Sequence, residues 1–286
     1  MTNMTNMTNQ TKTFNKGVLL HREKSKSALL VESSLTPVVS GGEFPEGTEV
    51  VFRWGCTASV PDGVSVVNSV KAIHRVFDKG NFRRAMYEAG LTMPTYLDFG
   101  ELLDEESSGP WIVRPSEHQR SEDLHLCKTL REVYETIKLP KLSKGYYISD
   151  FIQKNEEYRV ICCQGRVVAV VRKIPKDKSA VSWGCVTQGS FEYVPWSEWP
   201  LEVVQKALGA MELSRLTFGA VDVIRASTGL AYVLEVNTAM YLTPYYGKAL
   251  GKAFEYILKN GKDDIETKTN PTWKDLIHPA IYEGAL

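Results

Sequence analysis

The stretch that decides the fold is Gly219-Ala-Val-Asp-Val-Ile224, followed closely by Val233-Leu-Glu-Val-Asn237. Both segments are rich in β-branched residues, which favour strands. Between them, Ala226-Ser-Thr-Gly229 has the composition of a turn. The sequence therefore predicts two adjacent antiparallel strands joined by a tight connection.

The register of this predicted hairpin brings polar side chains together. With residues 226–229 as the turn, Asp222 lies opposite Val233, and Asp222, Glu235 and Asn237 project from one sheet face. The two carboxylates are then diagonal neighbours, roughly 7 Å apart at the backbone. A buried carboxylate needs compensation, and Mg²⁺ typically takes one or two carboxylates plus substrate phosphates. The alternative interpretation is an ordinary hairpin with these residues on a solvated outer face.

Composition excludes several classes of protein. The 286 residues include 34 Lys+Arg and 34 Asp+Glu, so the formal charge is zero and a general nucleic-acid-binding surface is not indicated. No apolar run approaches the length of a spanning helix, and the polar N-terminus lacks a signal-peptide segment. Five cysteines without framework spacing favour reduced thiols. We expect a cytoplasmic protein with no membrane partner.

The order of predicted elements indicates an α+β fold with a cleft between two lobes. Strands joined by tight turns predict a mostly antiparallel C-terminal sheet with packed helices, preceded by a small N-terminal α/β lobe. The predicted segments are a disordered tail (1–15), an N-terminal lobe (16–76), a central lobe (77–145), a C-terminal lobe (146–262) and a surface tail (263–286).

Basic residues form a second group of candidates. They lie at the end of a predicted helix or on predicted strands, and each taken singly can be an ordinary surface residue. Arg binds phosphate through its planar fork and Lys as a point charge. Beside a Mg²⁺ site they fit a bound nucleoside triphosphate; the group consists of Lys79, Arg114, Arg159, Arg172 and Lys173.

A third group is the apolar strand Tyr146–Ile152 and the acidic segment after it. The backbone of a strand entering a short linker can bond an adenine edge. A carboxylate a few residues later can accept hydrogen bonds from ribose hydroxyls. Alone, this pattern is weak.

Taken in order, these motifs resemble those of the ATP-grasp superfamily. The sequence is most similar to the branch that contains ribosomal-protein glutamate ligases and their phage-encoded relatives, over about residues 50–259. The motifs are Asp78-Lys79, Ala89–Pro94, Trp111–Pro115, Ser149–Ile152, Glu157–Val160, Val171–Lys173, Asp222 and Leu234–Asn237.

The resemblance implies an ATP-dependent carboxylate–amine ligase that forms an amide or peptide bond through an acylphosphate and releases ADP and phosphate. Its partners would be a small-molecule or peptide carboxylate and an amine acceptor, with ATP and Mg²⁺ as cofactors. The implied metal ligands are Asp222, Glu235 and Asn237. The implied nucleotide-binding residues are Lys79, Arg114, His118, Asp150, Phe151, Ile152 and Glu157, and the implied catalytic residues are Arg114, Arg159 and Arg172.

Three departures from the family pattern stand out. Arg114 replaces the second nucleotide-binding Lys, which keeps the charge but changes the reach. The phosphate loop Ser116–Asp123 has no glycine, so it would need side chains such as those of residues 118–121. Thr238-Ala-Met240 follows Asn237 where many relatives have Pro-Gly, which leaves the acceptor pocket open.

Other interpretations stay open at this point. A kinase of a small hydroxylated substrate would release ADP without an amine, and a binding module would hold nucleotide without turnover. Trp183, Trp196 and Trp199 could form a substrate lid, although packing over the sheet is the simpler interpretation. A zinc site has no defensible spacing here; its candidates are His118, Glu122, Asp123, His125 and Cys127.

Overall fold

The computed structural model describes residues 13–282, except 24, 106–107, 119–122, 184–188 and 264–271. Most of the expected N-terminal tail, parts of the expected C-terminal tail and the loop residues Gln119, Arg120 and Ser121 lie outside the described residues. Within the described ranges, no helix combines the length and the apolar character needed to cross a membrane.

The N-terminal lobe contains a four-stranded parallel sheet in the order β2-β1-β3-β4. Every residue of β1 and β3 is buried, as expected for strands covered on both faces. The elements are β1 (Gly17–His21), β2 (Thr36–Val39), β3 (Val50–Trp54), β4 (Ser65–Val67), α1 (Val70–Phe77) and α2 (Lys79–Glu88).

Helix α1 is capped by Ser69, whose side chain accepts a hydrogen bond from the Ala72 N–H at 3.1 Å. Asn68 adopts a positive φ of 65° and donates to the Phe218 carbonyl at 2.9 Å. It therefore connects the N-terminal lobe to the C-terminal sheet.

The central lobe contains a small antiparallel sheet in the order β5-β8-β6-β7. Its elements are β5 (Thr95–Tyr96), α3 (Phe99–Leu103), β6 (Trp111–Pro115), β7 (His125–Cys127), α4 (Leu130–Thr136) and β8 (Tyr146–Asp150). Strand β8 pairs with β6 along its whole length. The predicted boundary between the central and C-terminal lobes falls between residues 145 and 146. It therefore assigns β8 to the C-terminal lobe, although the backbone of β8 is bonded to the central sheet.

The C-terminal lobe contains a five-stranded sheet in the order β11-β10-β9-β12-β13, antiparallel throughout. The predicted α+β fold with an antiparallel C-terminal sheet is confirmed. The elements are β9 (Lys154–Cys163), β10 (Arg166–Pro175), β11 (Gly189–Val194), α5 (Leu201–Ser214), β12 (Phe218–Ala226), β13 (Ala231–Asn237), α6 (Pro244–Asn260), α7 (Trp273–Leu276) and α8 (Pro279–Tyr282).

The β12–β13 hairpin carries a bulge that changes its register. Val223 pairs with Val233, and Asp222 then pairs with Glu235, so Leu234 is an extra residue. The expected pairing of Asp222 with Val233 is therefore wrong. The bulge places the two carboxylate residues directly opposite each other instead of diagonally, while Asn237 stays on their face of the sheet.

Candidate functional site

Asp222 occupies the centre of the candidate site. It lies on β12, between β9 and β13 in the C-terminal sheet, and is 3% exposed. Arg159 donates from Nε to Oδ1 at 2.8 Å and from Nη2 to Oδ2 at 2.9 Å, and Lys173 donates to Oδ2 at 2.9 Å. Burial alone would raise the pKa of Asp222, but Arg159 and Lys173 outweigh it and hold the pKa below its ordinary value. Asp222 is therefore ionised at neutral pH.

Glu157 extends this ionic cluster along β9. Lys173 donates to its Oε1 at 2.5 Å, and Lys154 donates to its Oε2 at 2.5 Å. Burial lowers the pKa of Lys173, but Asp222 and Glu157 more than reverse this, so the net shift is upward. Lys173 is thus a fixed cation that bridges two buried carboxylates.

Glu235 joins the cluster from β13. It forms an ion pair with Lys79, and Asn237 donates from Nδ2 to Oε1 at 3.1 Å. Burial pushes the pKa of Glu235 upward, but Lys79 outweighs it and lowers the pKa to about 2. Lys79 is the first residue of α2, and its backbone N–H donates to the Ser116 carbonyl at 3.1 Å. The start of α2, the end of β13 and the loop after β6 therefore converge.

Arg83 is a buried cation that the sequence interpretation missed. It lies one helical turn after Lys79 and donates from Nη1 to the carbonyl of the bulge residue Leu234 at 2.5 Å. Its guanidinium carbon is 5.3 Å from the centroid of the Tyr147 ring. Burial, the largest influence, lowers the pKa of Arg83. The i, i+4 spacing from Lys79 was the available signal, since it puts both cations on one helix face.

His118 and Arg114 lie beside Lys79 and Arg83. His118 Nε2 is 3.2 Å from the Tyr147 hydroxyl, and Arg114 pairs with Tyr147 across β6 and β8. Burial, followed by the charges of Lys79 and Arg114, lowers the pKa of His118 to about 2. The imidazole is therefore neutral at physiological pH. The structure brings together three of the residues proposed to bind nucleotide, namely Lys79, Arg114 and His118.

Arg172, by contrast, lies on the other face of the sheet. Adjacent strand residues point to opposite faces, and its neighbour Lys173 contacts Asp222. Arg172 donates to Glu192 at 2.8 and 2.5 Å, and its side chain is 41% exposed. The structure therefore brings Arg159 into the cluster but places Arg172 outside it, with Lys173 in the position that the sequence interpretation gave to Arg172.

The segment from Asp150 to Ile152 links the central sheet to β9. The Asp150 N–H donates to the Pro94 carbonyl at 3.1 Å, and the Phe151 N–H donates to the Pro110 carbonyl at 2.8 Å. These two amides are thus used within the protein.

The chemistry of the donor set fits a hard cation with a polyphosphate. The described ranges contain no group of three or more His, Cys, Asp or Glu side chains arranged as a metal centre. A cation held by Asp222, Glu235 and Asn237 would therefore need further oxygen ligands, and phosphates supply them for Mg²⁺. The three carboxylates of the cluster are contacted by four cations, namely Lys79, Lys154, Arg159 and Lys173. The excess of positive charge favours the binding of a polyanion.

The other candidate groups do not assemble. Among the described zinc candidates, Asp123 pairs with Lys141 at 2.8 Å, and Cys127 Sγ lies 3.4 Å from the Thr136 hydroxyl; Glu122 lies outside the described residues.

Trp183 and Trp199 are buried, and their Nε1 atoms donate to backbone carbonyls at 3.0 and 2.9 Å. Both rings pack within the protein, as the simpler interpretation predicted, whereas Trp196 is exposed to solvent.

Comparison with known proteins agrees with the fold described above. Residues 98–251, more than half of the chain, match the RimK-like ATP-grasp domain family. A D-alanine--D-alanine ligase from Methylacidiphilum infernorum (isolate V4) is 25% identical over 190 residues, which span 63% of this chain and 63% of that protein.

Two solved structures share the fold. D-cycloserine synthetase DcsG aligns with a TM-score of 0.63 at 14% identity, covering 85% of this chain and 100% of that chain. The ATP-grasp ligase PsnB, complexed with minimal precursor, Mg and ADP, aligns with a TM-score of 0.57 at 14% identity, covering 82% and 94%. The chain belongs to the RimK-like ATP-grasp domain family.

Proposed function

We propose that this protein is an ATP-dependent carboxylate–amine ligase that works through an acylphosphate. The observation that carries the proposal is the cluster on one face of the C-terminal sheet. There, two paired carboxylate residues and an amide lie among buried cations, next to the start of α2. This arrangement suits ATP with a divalent cation, because phosphoryl transfer depends mainly on positioning and charge neutralisation.

The nucleotide would lie between the central and C-terminal sheets. Lys79, Arg114 and His118 would contact its phosphates; the proposal is supported by the hydrogen bond between the Lys79 N–H and the Ser116 carbonyl, which holds the start of α2 against the segment that carries Arg114 and His118. The Asp150–Ile152 segment would line the adenine pocket. Glu157 lies on β9, the strand that follows this segment. Its carboxylate would accept hydrogen bonds from the ribose hydroxyls, and these would replace part of its contact with Lys154.

Asp222, Glu235 and Asn237 would hold Mg²⁺. When bound, the ion neutralises charge on the phosphate oxygens and orients them. Without it, the same carboxylates are neutralised by Lys79, Arg159 and Lys173. The site is therefore built to exchange internal ion pairs for contacts with phosphate and metal.

The reaction proceeds in two displacements. A substrate carboxylate oxygen attacks the γ-phosphorus, the bond to the β,γ-bridging oxygen breaks, and ADP leaves. An amine then attacks the acyl carbon, phosphate departs, and the amine loses a proton as the amide forms. Arg159 and Lys173 lie against Asp222 and would stabilise the negative charge of the transferring phosphoryl group.

The relatives support small-molecule or peptide substrates for this chain. Their names refer to D-alanine, D-cycloserine and a precursor peptide. We therefore propose a small-molecule or peptide carboxylate and an amine acceptor, and the protein would act in the cytoplasm, where ATP is available.

Trapping with hydroxylamine tests the proposed reaction. The protein is incubated with ATP, Mg²⁺ and a mixture of amino acids and peptides, and hydroxamate and ADP are measured. Hydroxamate formation supports an acylphosphate, and Glu235→Gln should lower it about 100-fold or more, the scale for losing a well-placed electrostatic group. ADP without hydroxamate would indicate a kinase instead. Glu192→Gln, on the opposite face, is the matched control.

A further inference from the structure

An aromatic crevice lies on the same sheet face as the proposed catalytic cluster. One row of paired residues crosses all five strands of the sheet, from the carboxylates to an aromatic ring: Glu235, Asp222, Arg159, Val171 and Tyr193. Paired residues share a face. The far end of this row is therefore continuous with the site proposed to activate a carboxylate.

Among the described residues, the crevice is a shallow surface groove and not an enclosed cavity, and its lining is mainly apolar. Ile161 and Val171 form its floor, and Phe191 stacks against Tyr241 with ring centroids 5.8 Å apart and an interplanar angle of 19°. Tyr246 completes the lining from the start of α6. Beside it, Tyr193 and Tyr245 meet edge to face at 5.2 Å.

Three of the rings at the edge of the crevice are exposed to solvent. Tyr241 is 52% exposed, although its ring already covers Phe191. Tyr193 and Tyr245 are also exposed. A group of exposed aromatic rings is a common feature of binding sites, because apolar surface gains free energy when a ligand covers it.

Arg159 belongs to both the crevice and the catalytic cluster. Its guanidinium binds Asp222 through two hydrogen bonds and lies 5.5 Å from the centroid of Phe191. A single side chain therefore separates the aromatic rings from the place where the substrate carboxylate must meet the phosphate. A group seated in the crevice would be only a few bonds away from the reacting carboxylate.

We propose that this crevice receives an aromatic or large apolar side chain of the substrate whose carboxylate is activated. The proposal rests on the ligase function given above and names its substrate class. Arg159 attracts the carboxylate, while Phe191 and Tyr241 contact the apolar group, so the two features select an acid with such a group close to its carboxyl carbon. The amine acceptor approaches from another side.

Binding of defined acids tests the proposal. The full chain is first titrated with Mg²⁺ and a non-hydrolysable ATP analogue, which tests nucleotide binding alone. The complex is then titrated with racemic N-acetylphenylalanine, racemic N-acetylalanine and phenethylamine by calorimetry. We expect the aromatic acid to bind at least tenfold more tightly than the alanine derivative and than the amine.

Substitutions assign that preference to the crevice. Phe191→Ala and Tyr241→Ala should reduce the preference to less than threefold, and Tyr241→Phe should keep it. Tyr134→Ala, which removes an exposed ring from α4, is the matched control and should behave like the parent protein. Unchanged binding of the nucleotide analogue shows that each variant is folded.

Several results would overturn the proposal. Equal affinity for the two acids, no measurable binding of either, preferential binding of phenethylamine, or a preference that survives both alanine substitutions would each exclude an aromatic acid from the crevice. If the nucleotide analogue binds in these cases, the proposed ligase function stands without the crevice. If the analogue does not bind, the ligase proposal itself fails.

Discussion

The two faces of the C-terminal sheet carry the same kinds of charged residue in opposite settings. On one face, Lys173 and Asp222 are buried and Arg159 is largely buried, and both cations are bonded to Asp222. On the other, Arg172 pairs with Glu192 and lies 3.8 Å from Glu156, with all three side chains substantially exposed. The strands are shared, so neighbouring positions along a strand differ only in the face to which they point.

This difference shows why charge patterns in strands need a face assignment before they indicate chemistry. Removing one partner of a buried ion pair lowers the stability of the fold strongly, because the other charge is left buried and unpaired. An exposed ion pair contributes only about 0 to 1 kcal/mol to stability. The buried face can therefore hold charge in fixed positions for a ligand. The exposed face carries ordinary surface ion pairs, so we expect substitutions there to have small effects.

The largest expected effect comes from Asp222→Ala. The change leaves the buried Lys173 and the largely buried Arg159 without their shared carboxylate, and breaking such a group typically costs about 3 to 5 kcal/mol. Urea unfolding should show this loss, while Glu192→Ala on the exposed face should lose at most about 1 kcal/mol. Similar losses in the two variants would remove the energetic difference between the faces.

Acid titration provides a second comparison. The pKa of Glu235 is lowered to about 2 in the folded chain, from a reference of 4.5. A carboxylate with a lowered pKa contributes stability that is fully present above its unfolded pKa and is lost as the pH falls through the folded value. The stability difference between the parent protein and Glu235→Gln should therefore shrink by about 2 kcal/mol between pH 4.5 and pH 2. Parallel stability profiles across that window would contradict the ion pair with Lys79.

Arg83→Met is expected to have a moderate effect on activity. Arg83 bonds the carbonyl of Leu234, the bulge residue that brings Glu235 opposite Asp222. Losing one charge-assisted hydrogen bond should lower turnover about tenfold and raise the Mg²⁺ requirement. Arg84→Met, from the exposed side of the same helix, should leave both unchanged. Equal behaviour of the two variants would show that Arg83 does not position Glu235.

Arg172→Ala should have the smallest effect. Its partners are exposed carboxylates, so the free energy of unfolding should change by at most about 1 kcal/mol and ATP turnover should stay normal. Parallel urea-unfolding and ADP-release assays check both quantities. A tenfold loss of turnover with normal stability would return Arg172 to the catalytic residues.

Much of this arrangement could be predicted from the sequence, and the exceptions have physical causes. Strand alternation was enough to place Glu235 and Asn237 on one face, because the period of two is local to β13. Asp222 shares that face only because the bulge offsets the error in the expected register. The bulge at Leu234 could not be predicted, since it depends on the pairing of β13 with β12 and on the contact of Leu234 with Arg83. Arg172 and Lys173 are adjacent cations, and only the register with β9 decides which one faces Asp222.

One pair of titrations tests most directly the claim that ATP binds on the face that carries Asp222. Lys173→Met and Arg172→Met are titrated with Mg²⁺ and a non-hydrolysable ATP analogue by calorimetry, after circular dichroism shows that both are folded. We expect Lys173→Met to bind at least tenfold more weakly than the parent protein, the effect of losing a charge-assisted contact, and Arg172→Met to bind normally. Weakened binding in Arg172→Met with normal binding in Lys173→Met would contradict the assignment and place the nucleotide on the opposite face.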